Sequence, residues 1–250
     1  IRHGCRISEP GSVPLCVEGT LSGGVFEIAG GVSSQYISGI LLALPLLEAE
    51  STLRITGTLE SRPYVEMTLE VLARFGISFT ENSGFSVFIK PRGLHRAQTA
   101  QCLQTEGDWS NAAFWLTAGA IGTKEVCVSG LSLTSKQGDK AILQLLEQFG
   151  ASIKKAEAED GLSDITVSPS PLKGIEINAA DIPDLVPILS LAAAVAEGTT
   201  IIRGAGRLRL KESDRLQTVT DLLGTLGADI RQTDDGLIIN GKPSLQGGMV

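Results

Sequence analysis

The sequence predicts an α/β protein made by repeating one strand–helix–strand–helix–strand–strand unit, and three observations carry that prediction. Three segments end alike: Leu72 to Phe79 around Phe75-Gly76, Leu146 to Ile153 around Phe149-Gly150, and Leu223 to Ile230 around Leu226-Gly227. Each has the pattern of a helix closed by a C′ glycine and followed by a strand. Upstream of each lies a β-branched or apolar strand ending in glycine, Ile55-Thr56-Gly57, Val128-Ser129-Gly130 and Ile202-Arg203-Gly204. Both glycine series recur at intervals of about 75 residues, longer than solenoid periods, which marks a domain-scale repeat.

Within each unit the elements follow in a fixed order. An almost uncharged helical stretch comes first, Ser33 to Leu47, Ser110 to Ile121 and Ile182 to Ala196. Because these stretches are apolar nearly all round, they are expected to be buried. Next come the strand ending in glycine and an amphipathic helix. Strand pairs complete the unit: Ile77 to Thr80 with Ser86 to Ile89 around Asn82-Ser83-Gly84, and Asp229 to Gln232 with Leu237 to Ile239 around Asp234-Asp235-Gly236.

Composition narrows the class of function. With 250 residues and 42% hydrophobic content the chain can bury a sizeable core, as one large or two smaller domains. Aromatics reach only 4% and the net charge is −7, which argues against a nucleic-acid platform and leaves a pocket for small anions. Cys5, Cys16, Cys102 and Cys127 are scattered without a Cys-x-x-Cys pair, so no zinc site or disulfide framework is indicated and reduced cytoplasmic thiols are the default. The longest apolar stretch, Ile40 to Leu47, is far short of a membrane span, and the N-terminus lacks a signal-peptide layout. The chain starts at Ile1, which is expected of a processed product or of a portion of something longer.

The densest chemistry lies in Arg207-Leu208-Arg209-Leu210-Lys211-Glu212-Ser213-Asp214-Arg215, four cations and two carboxylates before the apolar residues Leu216, Val219, Leu222, Leu223 and Leu226 at helical spacing. That places the cations on the loop and first turn of a helix starting near Ser213. A first turn welcomes anions and repels Lys and Arg. Two readings follow: an anion site with an acid/base carboxylate inside it, or a solvated helix start laced with ion pairs. Gly204-Ala205-Gly206 lacks the features of a phosphate loop or a dinucleotide fingerprint.

Aligned on the repeat, the start of each apolar helix carries small polar or acidic groups: Ser33-Ser34-Gln35, then Asp108 and Ser110, then Asp181 and Asp184. The start of each amphipathic helix carries Glu60-Ser61-Arg62-Pro63-Tyr64, Ser135-Lys136-Gln137-Gly138-Asp139, or Arg209-Leu210-Lys211-Glu212. If helices of equivalent role lie parallel, their N-termini gather on one face of each domain, where polyanions bind well. Ser33, Ser34, Asp108, Ser110 and Asp184 each also fit a plain N-cap. Asp184 sits after Ile182 and Pro183 inside an apolar helix, a place that desolvates a carboxylate and suits it to general-base work. The ring of Tyr64 fits simple packing against its helix as well as it fits a ligand contact. His3 and His95 have no recognisable partner and read as surface residues.

Arg209-Leu210-Lys211-Glu212-Ser213-Asp214-Arg215 resembles the Arg-x-Lys-Glu-Ser-Asp-Arg signature of the 5-enolpyruvylshikimate-3-phosphate synthase family. Ser33-Ser34-Gln35-Tyr36, Ser61-Arg62-Pro63-Tyr64, Glu106-Gly107-Asp108 and Asp181-Ile182-Pro183-Asp184 resemble family segments in the same order, so the similarity spans nearly the whole chain. The resemblance implies two domains of βαβαββ units, with residues 1–104 in the shikimate-phosphate-binding domain and 105–250 in the C-terminal one. It implies a cytoplasmic, monomeric transferase of aromatic amino-acid biosynthesis that needs no metal or organic cofactor. Shikimate 3-phosphate would be held by Ser33, Ser34, Gln35, Ser61 and Tyr64. Phosphoenolpyruvate would meet Gln35, Lys211 and Arg215. Asp184 would take the proton of the attacking 5-hydroxyl, Lys211 would lie near that hydroxyl, and Glu212 would protonate the substrate methylene.

The family's early Lys-Ser segment, its Gly-Asn-Ala/Ser-Gly-Thr loop and its late Asp-His-Arg and Lys have no counterpart here, and Arg207, expected beside the substrate, stands where the family often has Asn. An internal portion of the enzyme is therefore expected, weak in substrate binding and inactive alone. UDP-N-acetylglucosamine enolpyruvyl transferase is the nearest alternative, though its reactive-Cys loop is not recognisable. From another class, a non-catalytic repeat scaffold would use the same basic helix ends to bind acidic groups.

Overall fold

The computed structural model describes residues 3–8, 11, 13–94, 104–159 and 161–248. The chain divides into two compact units, Ile1–Cys102 and Leu103–Val250, against the division at 104/105 read from sequence.

The first unit opens with an antiparallel pair that the sequence reading did not anticipate, β1 (Cys5–Ser8) with β2 (Cys16–Gly19). One complete repeat follows: β3 (Val25–Ala29), α1 (Ser34–Ala43), β4 (Ser51–Thr56), α2 (Arg62–Arg74), β5 (Thr80–Asn82) and β6 (Val87–Lys90). The sheet order is β3-β4-β6-β5, with β3 and β4 parallel and the other pairs antiparallel. Its core joins Ile37 and Leu41 of α1 to Leu53, Ile55, Val65, Leu72 and Phe88. His3, read from sequence as a surface residue, stacks on Phe26 with ring centroids 3.9 Å apart. His95 and Cys102 lie outside the described residues.

The second unit holds two repeats. One comprises α3 (Trp109–Ile121), β7 (Val126–Leu131), α4 (Ile142–Phe149), β8 (Ser152–Glu157) and β9 (Ser163–Ser168), in a sheet of order β7-β9-β8. The place of an opening strand before α3 falls partly on residues outside the description. Gly107 there donates its N–H to Gly130 O at 2.8 Å. The other comprises β10 (Glu176–Asn178), α5 (Val186–Val195), β11 (Thr199–Arg203), α6 (Arg215–Thr225), β12 (Asp229–Thr233) and β13 (Gly236–Asn240). Its order, β10-β11-β13-β12 with β10 parallel to β11, matches that of the first unit.

The two glycine series have one physical cause. Gly76, Gly150 and Gly227 all adopt positive φ just past their helices, as do Gly57 and Gly204 after their strands and Gly130 at the irregularity near the end of β7. A side chain is strained in that region of backbone space. After each of α2, α4 and α6 the same two bonds close the helix: Gly76 N–H to Ala73 O with Ile77 N–H to Leu72 O, and their equivalents at Gly150/Ala151 and Gly227/Ala228.

The apolar helices do not share one environment. In α5, Val186, Ile188, Leu189 and Ala192 to Ala194 are buried, because the helix packs against α3 and α6 as well as its sheet. In α1 only Ile37 and Leu41 are buried, while Tyr36, Leu42 and Leu46 beyond it are exposed. The expectation of all-round burial therefore fails for α1, which packs with α2 in a unit whose described residues form one complete repeat. In α3 one face is buried, and Phe114 and Trp115 are exposed on the other. Lys90, at the end of β6, is fully buried, its ammonium donating to the carbonyls of Leu47, Ala49 and Gly93. Burial lowers the pKa of this lysine, and nearby Glu48 opposes the shift.

Candidate active site

In the first and third repeats the two helix starts are brought side by side by the ends of the first two strands, and in the second the segment before α3 is tied to the end of β7. In the first unit Glu60 N–H donates to Gly30 O at 3.3 Å, and a Cβ on Gly30 would come within 2.6 Å of Thr58 O, so this close approach requires glycine. The corresponding ties in the second unit are the Gly107–Gly130 bond and Ala179 N–H to Arg203 O at 2.8 Å. These bonds make the two helix starts of a repeat neighbours, a more local arrangement than the gathering on one face of each domain that the sequence suggests.

What the starts carry differs. In the first unit Ser33 caps α1, its hydroxyl accepting from Gln35 N–H at 3.2 Å, while Gln35 and Tyr36 remain exposed. Ser61, at the start of α2, is buried and left-handed at φ 53° and ψ 40°, a conformation uncommon for serine. Ser38 and Thr68 share a hydrogen bond of 2.7 Å between α1 and α2, and Thr68 donates to Tyr64 O at 3.0 Å. Ser33 to Gln35 and Ser61 to Tyr64 thus line one pair of helix starts.

The second repeat closes its polar groups on one another. Asp108 caps α3, and Ser110 donates to Asp139 at 2.5 Å. Gln137 accepts from Trp109 N–H at 2.8 Å and donates to Glu106 and Gly107 O, both at 2.9 Å. Ser135 also donates to Glu106, at 2.6 Å. Asp108 is a plain cap here.

The third repeat carries charge. Arg215 Nη1 donates to Asp184 at 2.6 Å, and its Nε and Nη2 reach Glu212 at 2.8 and 3.1 Å. Hydrogen bonds from Arg215 hold Glu212 below the ordinary carboxylate range, and the same pairing raises the arginine's already high pKa. Asp184 keeps 35% of its side-chain surface exposed, so an ion pair with Arg215 rather than desolvation sets its environment, contrary to the sequence reading. Lys211, half-buried on the same loop, makes no hydrogen bond or ion pair among the described residues, and its charge bears on Glu212. Arg207, expected to contact substrate, donates through Nη2 to Ala180 O at 2.9 Å and so ties the segment leading to Asp184 onto the basic run.

The basic run lies on the loop and first turn of a helix, as its spacing suggested, with the helix starting slightly later than Ser213. Gly206–Leu210 wind into a 3-10 turn, and α6 begins only at Arg215, capped by Asp214, which accepts from Gln217 N–H at 3.0 Å. Arg207, Arg209 and Lys211 thus precede the helix, and Arg215, the cation in its first turn, is neutralised by two carboxylates. The sequence reading missed the structural role of Arg209 and Asp214. Asp214-Arg215-Leu216-Gln217 ahead of an apolar periodicity resembles a capping box and was the available signal.

This side-chain arrangement coincides with a family match. Residues 3–250 fit the family model described as EPSP synthase (3-phosphoshikimate 1-carboxyvinyltransferase). The chain belongs to the EPSP synthase family. It is 42% identical over 243 residues to a 3-phosphoshikimate 1-carboxyvinyltransferase of Clostridium kluyveri, covering 97% of this chain and 55% of that protein. A protein of the same name from Clostridium acetobutylicum is 43% identical over 238 residues, which is 95% of this chain and 53% of the relative. Among solved structures, an EPSP synthase from Acinetobacter baumannii superposes with a TM-score of 0.73 at 30% identity, over 97% of this chain and 55% of its own. The enolpyruvyl transferase NikO of Streptomyces tendae shares the fold, with a TM-score of 0.70 at 20% identity over 96% of this chain and 55% of its own. The chain therefore spans about half the length of the EPSP synthases it matches. Among the described residues no three His, Cys, Asp or Glu side chains are grouped to hold a metal, and no helix is long and apolar enough to cross a membrane.

Proposed function

We propose that the protein carrying this chain transfers the enolpyruvyl group of phosphoenolpyruvate to the 5-hydroxyl of shikimate 3-phosphate, releasing phosphate. The observation that carries this reading is the Asp184–Arg215–Glu212 cluster with Lys211 on the adjoining loop, in a chain of the EPSP synthase family. Shikimate 3-phosphate is taken by Ser33, Ser34, Gln35, Ser61 and Tyr64, in the unit we assign as the N-terminal, shikimate-phosphate-binding domain. Asp184 accepts the proton of the attacking hydroxyl, and Lys211 steadies the developing charge.

Glu212 then needs a proton to give to the methylene carbon. Arg215 opposes this in the free chain, because its hydrogen bonds stabilise the ionised carboxylate. An anionic substrate that draws Arg215 to itself removes that stabilisation and lets Glu212 take up a proton. Arg215 thereby couples phosphoenolpyruvate binding to the protonation of the acid. The working location is the cytoplasm and the protein acts as a monomer.

Because the chain spans about half of its relatives, we assign turnover to a full-length protein and only weak substrate binding to this chain alone. Calorimetry of the chain with shikimate 3-phosphate, with and without phosphoenolpyruvate, tests both points. Weak binding of the first without synergy from the second is expected. Product formation by the isolated chain at ordinary enzyme rates would overturn the assignment of turnover, and binding of UDP-N-acetylglucosamine in place of shikimate 3-phosphate would overturn the substrate.

A further inference from the structure

We infer that Arg209 is a positioning residue, whose guanidinium, clasped to Asp214 and to the end of β12, closes the base of the loop that presents Lys211 and Glu212. The inference rests on the roles proposed for those two side chains. Arg209 Nη1 donates to Asp214 Oδ2 at 2.9 Å and to Gln232 Oε1 at 2.8 Å, and Nη2 donates to Thr233 O at 2.9 Å. Gln232 in turn donates to Gln217 at 2.8 Å, so strand, loop and helix start are joined by one group. A planar fork suits this task and an ammonium does not.

The loop needs such a fixture. Leu208 before it and Leu216 after it are buried, but Leu210 is 83% exposed, so no apolar side chain anchors the stretch between. Beyond the clasp, Asp214 is held by its cap to Gln217 N–H and by Thr218, while Glu212 is held by its bonds from Arg215. The hold on Glu212 is given up if Arg215 turns to substrate. The clasp then keeps Lys211 and Glu212 in place during the reaction. As a partly exposed pair, Arg209 and Asp214 are worth little to global stability, so the consequence falls on the loop.

Asp214 allows the clasp to be separated from helix capping, because Oδ1 accepts from Gln217 N–H and Oδ2 from Arg209. Asparagine caps as well as aspartate but its amide nitrogen cannot accept from a guanidinium. In a full-length enzyme carrying this chain, Asp214→Asn and Arg209→Met are each expected to lower kcat about tenfold while KM for shikimate 3-phosphate stays within about twofold. The double variant should be no worse than either single one, and thermal midpoints should barely move. Asp214→Ala, which also loses the cap, should fall further in thermal midpoint without a further fall in kcat. Unchanged kcat in both single variants, or losses that multiply in the double, would overturn the clasp. Hydrogen exchange of the Lys211, Glu212 and Ser213 amides gives a second readout that does not depend on the reaction. Faster exchange in both variants supports the clasp, and unchanged exchange sinks it. If the unsubstituted full-length enzyme makes no product, the functional reading fails and exchange alone decides the clasp.

Discussion

The second and third repeats place their helix starts alike and fill them with opposite chemistry. Around Gln137 most polar side chains bond one another, and the one cation drawn in among the described residues, Lys140, is spent on the carbonyls of Leu133 and Ser135. Around Arg215 two carboxylates share one guanidinium, and Lys211 stands beside them with no bond partner among the described residues. The fold supplies the same scaffold in both, and only the third repeat fills it with an ion-paired cluster beside a lysine that has no bond partner among the described residues, which is what our proposal of a site there rests on. The sharpest way to break this contrast is Asp184→Asn in a full-length enzyme. Turnover is expected to drop by about 10²–10⁴-fold, the scale of a lost general base, with thermal stability close to the parent. Steady-state kinetics beside a melting curve decide it. Equal turnover would remove Asp184 from the chemistry.

The two repeats also share something that the first repeat lacks in its own unit. Helix α5 is packed on by α3, so its apolar surface is used on several sides, whereas α1 leaves Leu42 exposed. Leu189→Ala should therefore cost about 2–5 kcal/mol of stability, and Leu42→Ala no more than about 0.5 kcal/mol. Denaturant unfolding of the 250-residue chain measures both, and similar costs at the two positions would contradict the packing difference.

Gln137→Ala examines the closed junction directly. It removes three hydrogen bonds and leaves the Trp109 N–H without its acceptor, so about 1–3 kcal/mol should be lost from the second unit. Binding of shikimate 3-phosphate should not change. A marked loss of binding would mean that this junction serves the ligand.

How much of this was legible in the sequence depends on the range of the cause. The repeat was readable because its glycines are fixed by local backbone conformation: positive φ at Gly76, Gly150 and Gly227 leaves a mark at each position. The Arg-x-Lys-Glu-Ser-Asp-Arg run was readable as a motif, yet the division of labour within it was not. Arg209 is committed by Gln232 and Thr233, some twenty residues away, and Arg215 by Asp184 on the preceding helix start. Partners brought by the fold leave no trace in spacing. For the same reason α1 and α5 looked alike, since periodicity reports how apolar a helix is and not what stands on its far side.

The smallest effect concerns pH and compares the charged junction with itself. Glu212 is held below the ordinary carboxylate range first by its hydrogen bonds from Arg215, and Asp214 first by the Gln217 N–H that it caps. A carboxylate with a lowered folded-state pKa stabilises the fold fully above its unfolded value and loses that contribution as pH falls through the folded one. The acid limb of stability should therefore drop from the ordinary carboxylate range downward, and nothing from these two groups should change toward alkaline pH. Glu212 is exposed and Asp214 half-buried, so salt should shrink the Arg215 part of the effect more than the backbone cap of Asp214. Glu212→Gln should flatten the salt-sensitive part of the melting-temperature profile, and Asp214→Asn the salt-resistant part. An acid limb untouched by either substitution would place the titration elsewhere in the chain.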